Sequence, residues 1–156
     1  MADAPILKHL DELTTHRISP GDTVKLAHIT GPSEGSPTSV FFEVWDPQGV
    51  QPDNTHPDSV EIFVFLSGEG IAVSDEHSVA VKAGDVLVLP SGSVHHIQNT
   101  SETDRLYAVT IMANDLGSMD KGFEHLVTSG SRDTLDATDK AAIFSGLAVL
   151  AGAEKA

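Results

Sequence analysis

The chain contains no cysteine, which excludes disulfides, thiolate metal sites and cysteine nucleophiles together. Whatever chemistry it performs falls to oxygen and imidazole groups. Basic residues are scarce as well: nine Lys and Arg stand against 23 Asp and Glu, a formal charge of −14. Such a surface cannot neutralise phosphates, so nucleic acid is excluded as an expected partner, and anionic membrane surfaces with it. Long apolar runs are missing too. The longest, AAIFSGLAVLAGA (141–153), falls short of the roughly 20 residues of a spanning helix. The opening MADAPILKHLDEL is interrupted by Lys8, His9, Asp11 and Glu12, unlike the apolar core of a secretory signal. The expectation is a soluble cytoplasmic protein with no membrane partner. Internal repeats and long linkers are also lacking, and 156 residues suit one domain with one core.

What the sequence does have is a regular succession of short β-type segments. VKLAHIT (24–30), TSVFFEVWD (38–46), VEIFVFL (60–66), IAVS (71–74), HSVAVK (77–82), VLVLP (86–90), HHIQN (95–99) and RLYAVTIMA (105–113) are separated by turn-forming clusters such as SGEG, KAGD and PSGS. This pattern predicts an all-β sandwich or barrel with its core at about residues 24–113. Residues 1–23 read as an irregular arm in which Ile6, Leu10 and Leu13 line one face of a short helix. The tail, residues 116–156, reads as helical, with GFEHLV as a short helix and Asp136 or Thr138 capping a last one.

Within this pattern VEIFVFL is apolar on both faces except for Glu61. An ionised carboxylate in an apolar interior costs several kcal/mol unless it is paired, and a metal ion would satisfy it. Upstream, Asn54 and His56 lie two apart and project to one side if extended. Pro57-Asp58-Ser59 then supplies a bend that returns Glu61 to the same side. In GDVLVLPSGSVHHIQN (84–99), the glycines and Pro90 shape hairpin turns. His95 and Asn99 share a strand face, while His96 points the other way. One imidazole is thus delivered inward.

These residues resemble the two motifs of the cupin superfamily. Gly84, Pro90, Gly92, His95 and Asn99 match the second motif in full. His56, Glu61 and Gly68 match part of the first, whose usual first His is here Asn54. The resemblance covers about residues 38–113. It implies a double-stranded β-helix, the cupin-type jelly-roll barrel, with a divalent metal ion held by His56, Glu61 and His95. An amide at position 54 can ligate weakly, hold a ligating water, bind substrate or simply shape the Asp53-Asn54 turn. Two imidazoles and one carboxylate form the set used by non-haem Fe(II) oxygenases, so the resemblance points to an Fe(II) dioxygenase for a small-molecule substrate. Ni, Mn, Co or Zn also suit the donors. The alternatives are a metal-dependent isomerase or lyase and a non-catalytic binding protein.

Phe63 and Phe65 share the strand face of Glu61 and are candidates for the wall of a substrate cavity, with core packing as the other reading. Tyr107 is either a catalytic acid, base or hydrogen-bond donor in the cavity, or a core residue; Glu43 is the other candidate base. His9, His16, His28 and His125 lack partners at ligand spacing, and His77, after Asp75-Glu76 in a hairpin turn, reads as solvated. A homodimer is expected from the resemblance and from strands apolar on both faces, unless the terminal helix covers them.

Overall fold

The structure is a computed structural model that describes residues 3–115 and 122–152. Ten strands follow in order: β1 (Thr15–Arg17), β2 (Val24–Thr30), β3 (Ser39–Trp45), β4 (Val60–Ser67), β5 (Glu69–Ser74), β6 (His77–Lys82), β7 (Val86–Leu89), β8 (His95–Asn99), β9 (Leu106–Ala113) and β10 (Ser131–Asp133). Two helices, α1 (Phe123–Thr128) and α2 (Ala137–Leu150), flank β10. The strands pair antiparallel into a seven-stranded sheet, β10-β1-β2-β3-β9-β4-β7, and a three-stranded sheet, β6-β5-β8. This is the all-β barrel that the resemblance to the cupins implies.

Alternation along β4 sends Glu61, Phe63 and Phe65 inward, where they are buried, while Val60, Ile62 and Val64 face outward. Inward residues of both sheets, among them Trp45, Phe63, Ala72 and Ile97, form one core. A second apolar cluster lies on the outer face of the larger sheet, where Leu135 and Ile143 cover Val44, Leu66 and Tyr107. α2 therefore supplies part of the cover that the two-sided apolar strands require. Its anchor is polar. Asp136 caps the helix in a reciprocal box with Asp139, and the fully buried Asp139 takes an ion pair from Lys25 at 2.6 Å and a hydrogen bond from Tyr107 Oη at 3.0 Å.

The flanks differ from expectation in two places. The arm forms only a three-residue 3-10 turn, Leu10–Glu12; Leu10 and Leu13 pack on the outer apolar cluster, while Ile6 stays 60% exposed. The arm then supplies β1, which pairs with both β2 and β10. The tail is not purely helical, since β10 joins the sheet. Ser131–Asp133 is three polar residues long and carries no alternation that marks a strand. Residues 116–121 and 153–156 of the expected tail lie outside the described residues. Among the described residues, no helix is long and apolar enough to cross a membrane.

Candidate metal centre

The loop after β3 runs alongside β8 and brings the two motifs together. Asn54 and His95 exchange backbone hydrogen bonds of 3.0 and 2.9 Å, and Gln51 N–H donates to Ile97 O at 3.1 Å. His56 follows on this guided segment. Its carbonyl accepts from Ser59 N–H at 3.4 Å, closing the bend before β4, and from Gly92 N–H at 3.0 Å. Gly84 and Gly92 bracket β7 and its turn with φ of 92° and 82°, a left-handed conformation that side chains resist. The last motif residue, Asn99, is structural. Its amide donates to Asp46 O and Asp104 O at 2.9 and 2.8 Å, and its carbonyl accepts from Ser101 N–H.

Three side chains converge. Donor atoms of His56, Glu61 and His95 all lie within 4.8 Å of one another. Glu61 Oε2 is 2.7 Å from His95 Nε2 and 3.7 Å from His56 Nε2, and the two imidazole rings are 5.4 Å apart. His95 Nδ1 faces the Ser93 carbonyl at 3.0 Å. A carbonyl only accepts, so Nδ1 carries hydrogen and Nε2 is left to meet the carboxylate. Either a shared hydrogen or a metal ion must then lie between Nε2 and Glu61 Oε2. His56 Nε2 is buried with no hydrogen-bond partner, an orphaned ring nitrogen of the kind a cation satisfies. Burial lowers the proton affinity of His56, an effect that Glu61 opposes and His95 reinforces, so the imidazole is neutral and free to donate. The residues present fit a divalent ion.

Two members of the triad, His56 and Glu61, line a cavity of about 110 Å³. Its roof comes from outside the barrel strands: Ile18 from the arm, Phe123 and Leu126 from α1. The Phe123 ring packs edge-on against His56 at 5.5 Å. α1 is pinned by two buried acids. Asp115 accepts from the N–H groups of Phe123 and Glu124 at 2.7 and 2.9 Å, and Glu124 binds His28 Nε2 at 2.7 Å and the Ser33 hydroxyl at 2.7 Å. Burial works against the charge on Glu124, but the bonds from Ser33 and His28 hold its carboxyl below the ordinary range.

Glu43 also lines this cavity and is 1% exposed. Gln51 Nε2 donates to its Oε1 at 2.5 Å and Thr110 Oγ1 to its Oε2 at 2.6 Å. Burial first, and the negative charge of Glu61 second, push its carboxyl up to about 8. Glu43 alternates with Phe41 and Trp45 along β3, the same pattern that makes Glu61 stand out between apolar neighbours. That parity was the available sequence signal. Gln51 and Phe123 carry no such signal, because a loop and a tail helix bring them in.

The other candidates separate. Asn54 is on the cavity wall, with its side-chain N–H donating to Pro52 O at 3.1 Å. Tyr107 is a correction: strand parity turns it to the outer face of β9, where burial and then the Asp139 carboxylate raise its hydroxyl well above its ordinary value. It does not line the cavity. Phe63 and Phe65 are a second correction. Their rings stack on each other at 6.0 Å, with Phe63 6.1 Å from Trp45, and all three fill the core rather than wall the cavity. Of the remaining histidines, His28 locks α1, His16 is buried on β1, and His77 is exposed.

Residues 41–112 match the family model described as a cupin domain. An oxalate-binding protein of Thermotoga maritima is 39% identical over 57 residues, 36% of this chain and 47% of that protein. A germin-like protein of Arabidopsis thaliana is 36% identical over 84 residues, 49% of this chain and 36% of that protein. The matches thus span less than half the length of these curated relatives. Among solved structures, a predicted oxalate decarboxylase from Thermotoga maritima superposes with a TM-score of 0.62 at 25% identity, covering 70% of this chain and 99% of that one.

Proposed function

The chain belongs to the cupin superfamily, and from that premise we propose that His56, Glu61 and His95 hold a divalent metal ion, Fe(II) foremost, in a dioxygenase for a small organic molecule. The observation that carries this reading is the convergent triad with its unpartnered His56 nitrogen. Two imidazoles and one carboxylate leave positions for substrate and dioxygen. Bound there, such an ion supplies the site where an organic ligand and dioxygen exchange electrons. The chain supplies the rest. Ser93 fixes the tautomer of His95, Ile18, Phe123 and Leu126 exclude water, and Asn54 on the wall orients the occupant. The test is to purify the protein anaerobically, load Fe(II) and measure oxygen uptake with small catechols, enols and thiols. Uptake that His95→Ala abolishes supports the reading, and no uptake across the panel sinks it.

One observation favours a second reading. Glu43, a buried carboxyl whose affinity for a proton is raised, suits a metal-assisted isomerase or lyase in which a base moves a proton. Product formed under strictly anaerobic conditions separates it from the first. The relative named as an oxalate-binding protein gives the third reading, binding without turnover.

A homodimer belongs to the same proposal. Val86 and Val88 on the edge strand β7 are 64% and 58% exposed, opposite Val64 and Ile62 of β4. At a net charge of −14 two copies repel wherever acidic side chains face, so a charge-free strand face is where a second copy seats.

A further inference from the structure

The charges around the cavity restrict what the metal centre can take. Among the described residues, no Lys or Arg side chain lines it. Arg17, next to the roof residue Ile18, is held by Asp46 and Asp133 at 2.9 and 2.6 Å. Besides Glu61, the walls carry the carboxyls of Glu43 and the half-buried Asp22. Apart from the His56 imidazole, the remaining lining is amide or apolar.

Among the fully buried groups, a divalent ion with the Glu61 and Glu43 carboxylates makes a neutral set, the arrangement that a desolvated pocket tolerates best, while Asp22 keeps partial contact with water. A dianion entering it leaves two uncompensated negative charges with no cationic side chain to meet them. An uncharged molecule that gives up one proton as it chelates leaves the balance unchanged, provided the proton stays inside. Glu43 is the carboxyl placed to keep it. Its hydrogen bonds go to Gln51 and Thr110, none to the triad. The Gln51 carbonyl is itself fixed by Ile97 N–H at 3.0 Å, so its amide N–H must point at Glu43 Oε1. That leaves Oε2, beside the Thr110 hydroxyl, as the oxygen that takes the proton.

Resting on the metal-centre reading, we propose that the cavity binds a small uncharged molecule bearing an O–H beside a second oxygen, such as a hydroxyketone, enol or hydroxamic acid. Glu43 is the catalytic residue that receives its proton, and dicarboxylates such as oxalate are disfavoured. In the step, the ligand O–H bond breaks, its electron pair stays on the oxygen that binds the ion, and an O–H bond forms on Glu43. The raised proton affinity of Glu43 in the metal-free protein, caused by burial and then by Glu61, agrees with the same balance. Without a cation, the pocket holds one carboxyl neutral.

The test uses the full chain loaded with zinc, which avoids redox side reactions, and two probes, acetohydroxamic acid and oxalate. Calorimetry at pH 8 in two buffers of unlike ionisation heat counts the protons released on binding. The wild type should release fewer than about 0.3 protons with acetohydroxamic acid, and Glu43→Gln, which keeps both hydrogen-bond partners, about one. Oxalate should bind Glu43→Gln about tenfold more tightly than the wild type. Equal proton release from both proteins, no binding of acetohydroxamic acid, or oxalate bound equally well by both overturns the proposal. If the variant fails to fold, the wild-type count decides alone, a full proton released being the overturning result. Zinc content is measured first: a chain that holds no zinc, or holds it equally after His95→Ala, removes the metal-centre reading and this proposal together. Zinc held by the triad with full proton release removes only the proposal.

Discussion

The Glu61 carboxylate and the His95 imidazole meet at 2.7 Å across 34 residues of chain, inside a barrel where both are at most 3% exposed. A pair this deeply buried needs a cation to persist, or it destabilises the fold that makes it. With metal present, the wild type should retain about one divalent ion per chain, and His95→Ala should weaken zinc binding by about 100-fold or more. Elemental analysis after chelator-free purification and a zinc titration check this. Unchanged affinity would mean that the ion sits elsewhere.

Glu43 gives a stability prediction with a definite sign. Its carboxyl is raised from 4.5 to about 8 in the folded, metal-free chain, so the folded state binds the proton more tightly than the unfolded one. The resulting stabilisation is complete below about pH 4.5 and is lost as pH rises through about 8. Glu43→Gln does not titrate. The metal-free variant should match the wild type at pH 4 and exceed it increasingly up to pH 8, by about 4 kcal/mol. Thermal melts across that range read the gap, and a gap that is absent or shrinks with pH contradicts the burial of an ionisable group there.

Tyr107→Phe is the control for cavity chemistry. The variant loses one hydrogen bond to Asp139, which keeps Lys25 and Arg105, so stability should fall by about 1 kcal/mol. Metal content and turnover should stay unchanged. A tenfold loss of turnover at full metal occupancy would return Tyr107 to the reacting centre.

Glu124→Ala removes the carboxylate that ties α1 to His28 and Ser33. Leaving the His28 ring without its partner should cost about 2 to 3 kcal/mol. Hydrogen exchange at the amides of 123–128 should accelerate well beyond that of β4. Equal protection in variant and wild type would mean that α1 is held by packing alone.

For the subunit contact, sedimentation of the wild type should give twice the chain mass of 16.4 kDa, and Val86→Lys with Val88→Lys should give the single chain. A monomeric wild type refutes the strand-face contact.

The barrel and the triad were legible because each rests on a local rule. VKLAHIT and HSVAVK match β2 and β6 end for end, since turn residues bound them. Alternation in HHIQN places His95 inside and His96 outside, as observed. Parity failed for Tyr107 only because no neighbour fixed which face of RLYAVTIMA was inward. Thr110 and Ala108 proved to hold that face. For Phe63 and Phe65 alternation gives a side and not a distance along the barrel, so it leaves cavity wall and core packing both open, and the structure takes the core. β1 and β10 were missed because three-residue strands have no period, and each is stable only through its partner.

Ile18 and α1 come from the two chain segments outside the barrel, and they form the entrance to a pocket whose donors the barrel itself sets. Grip on the ion and admission of the guest are therefore encoded in separate stretches of sequence. Substitutions in the flanks can retune which molecules get in while the coordination machinery is inherited intact, which is how one scaffold comes to serve many different appetites.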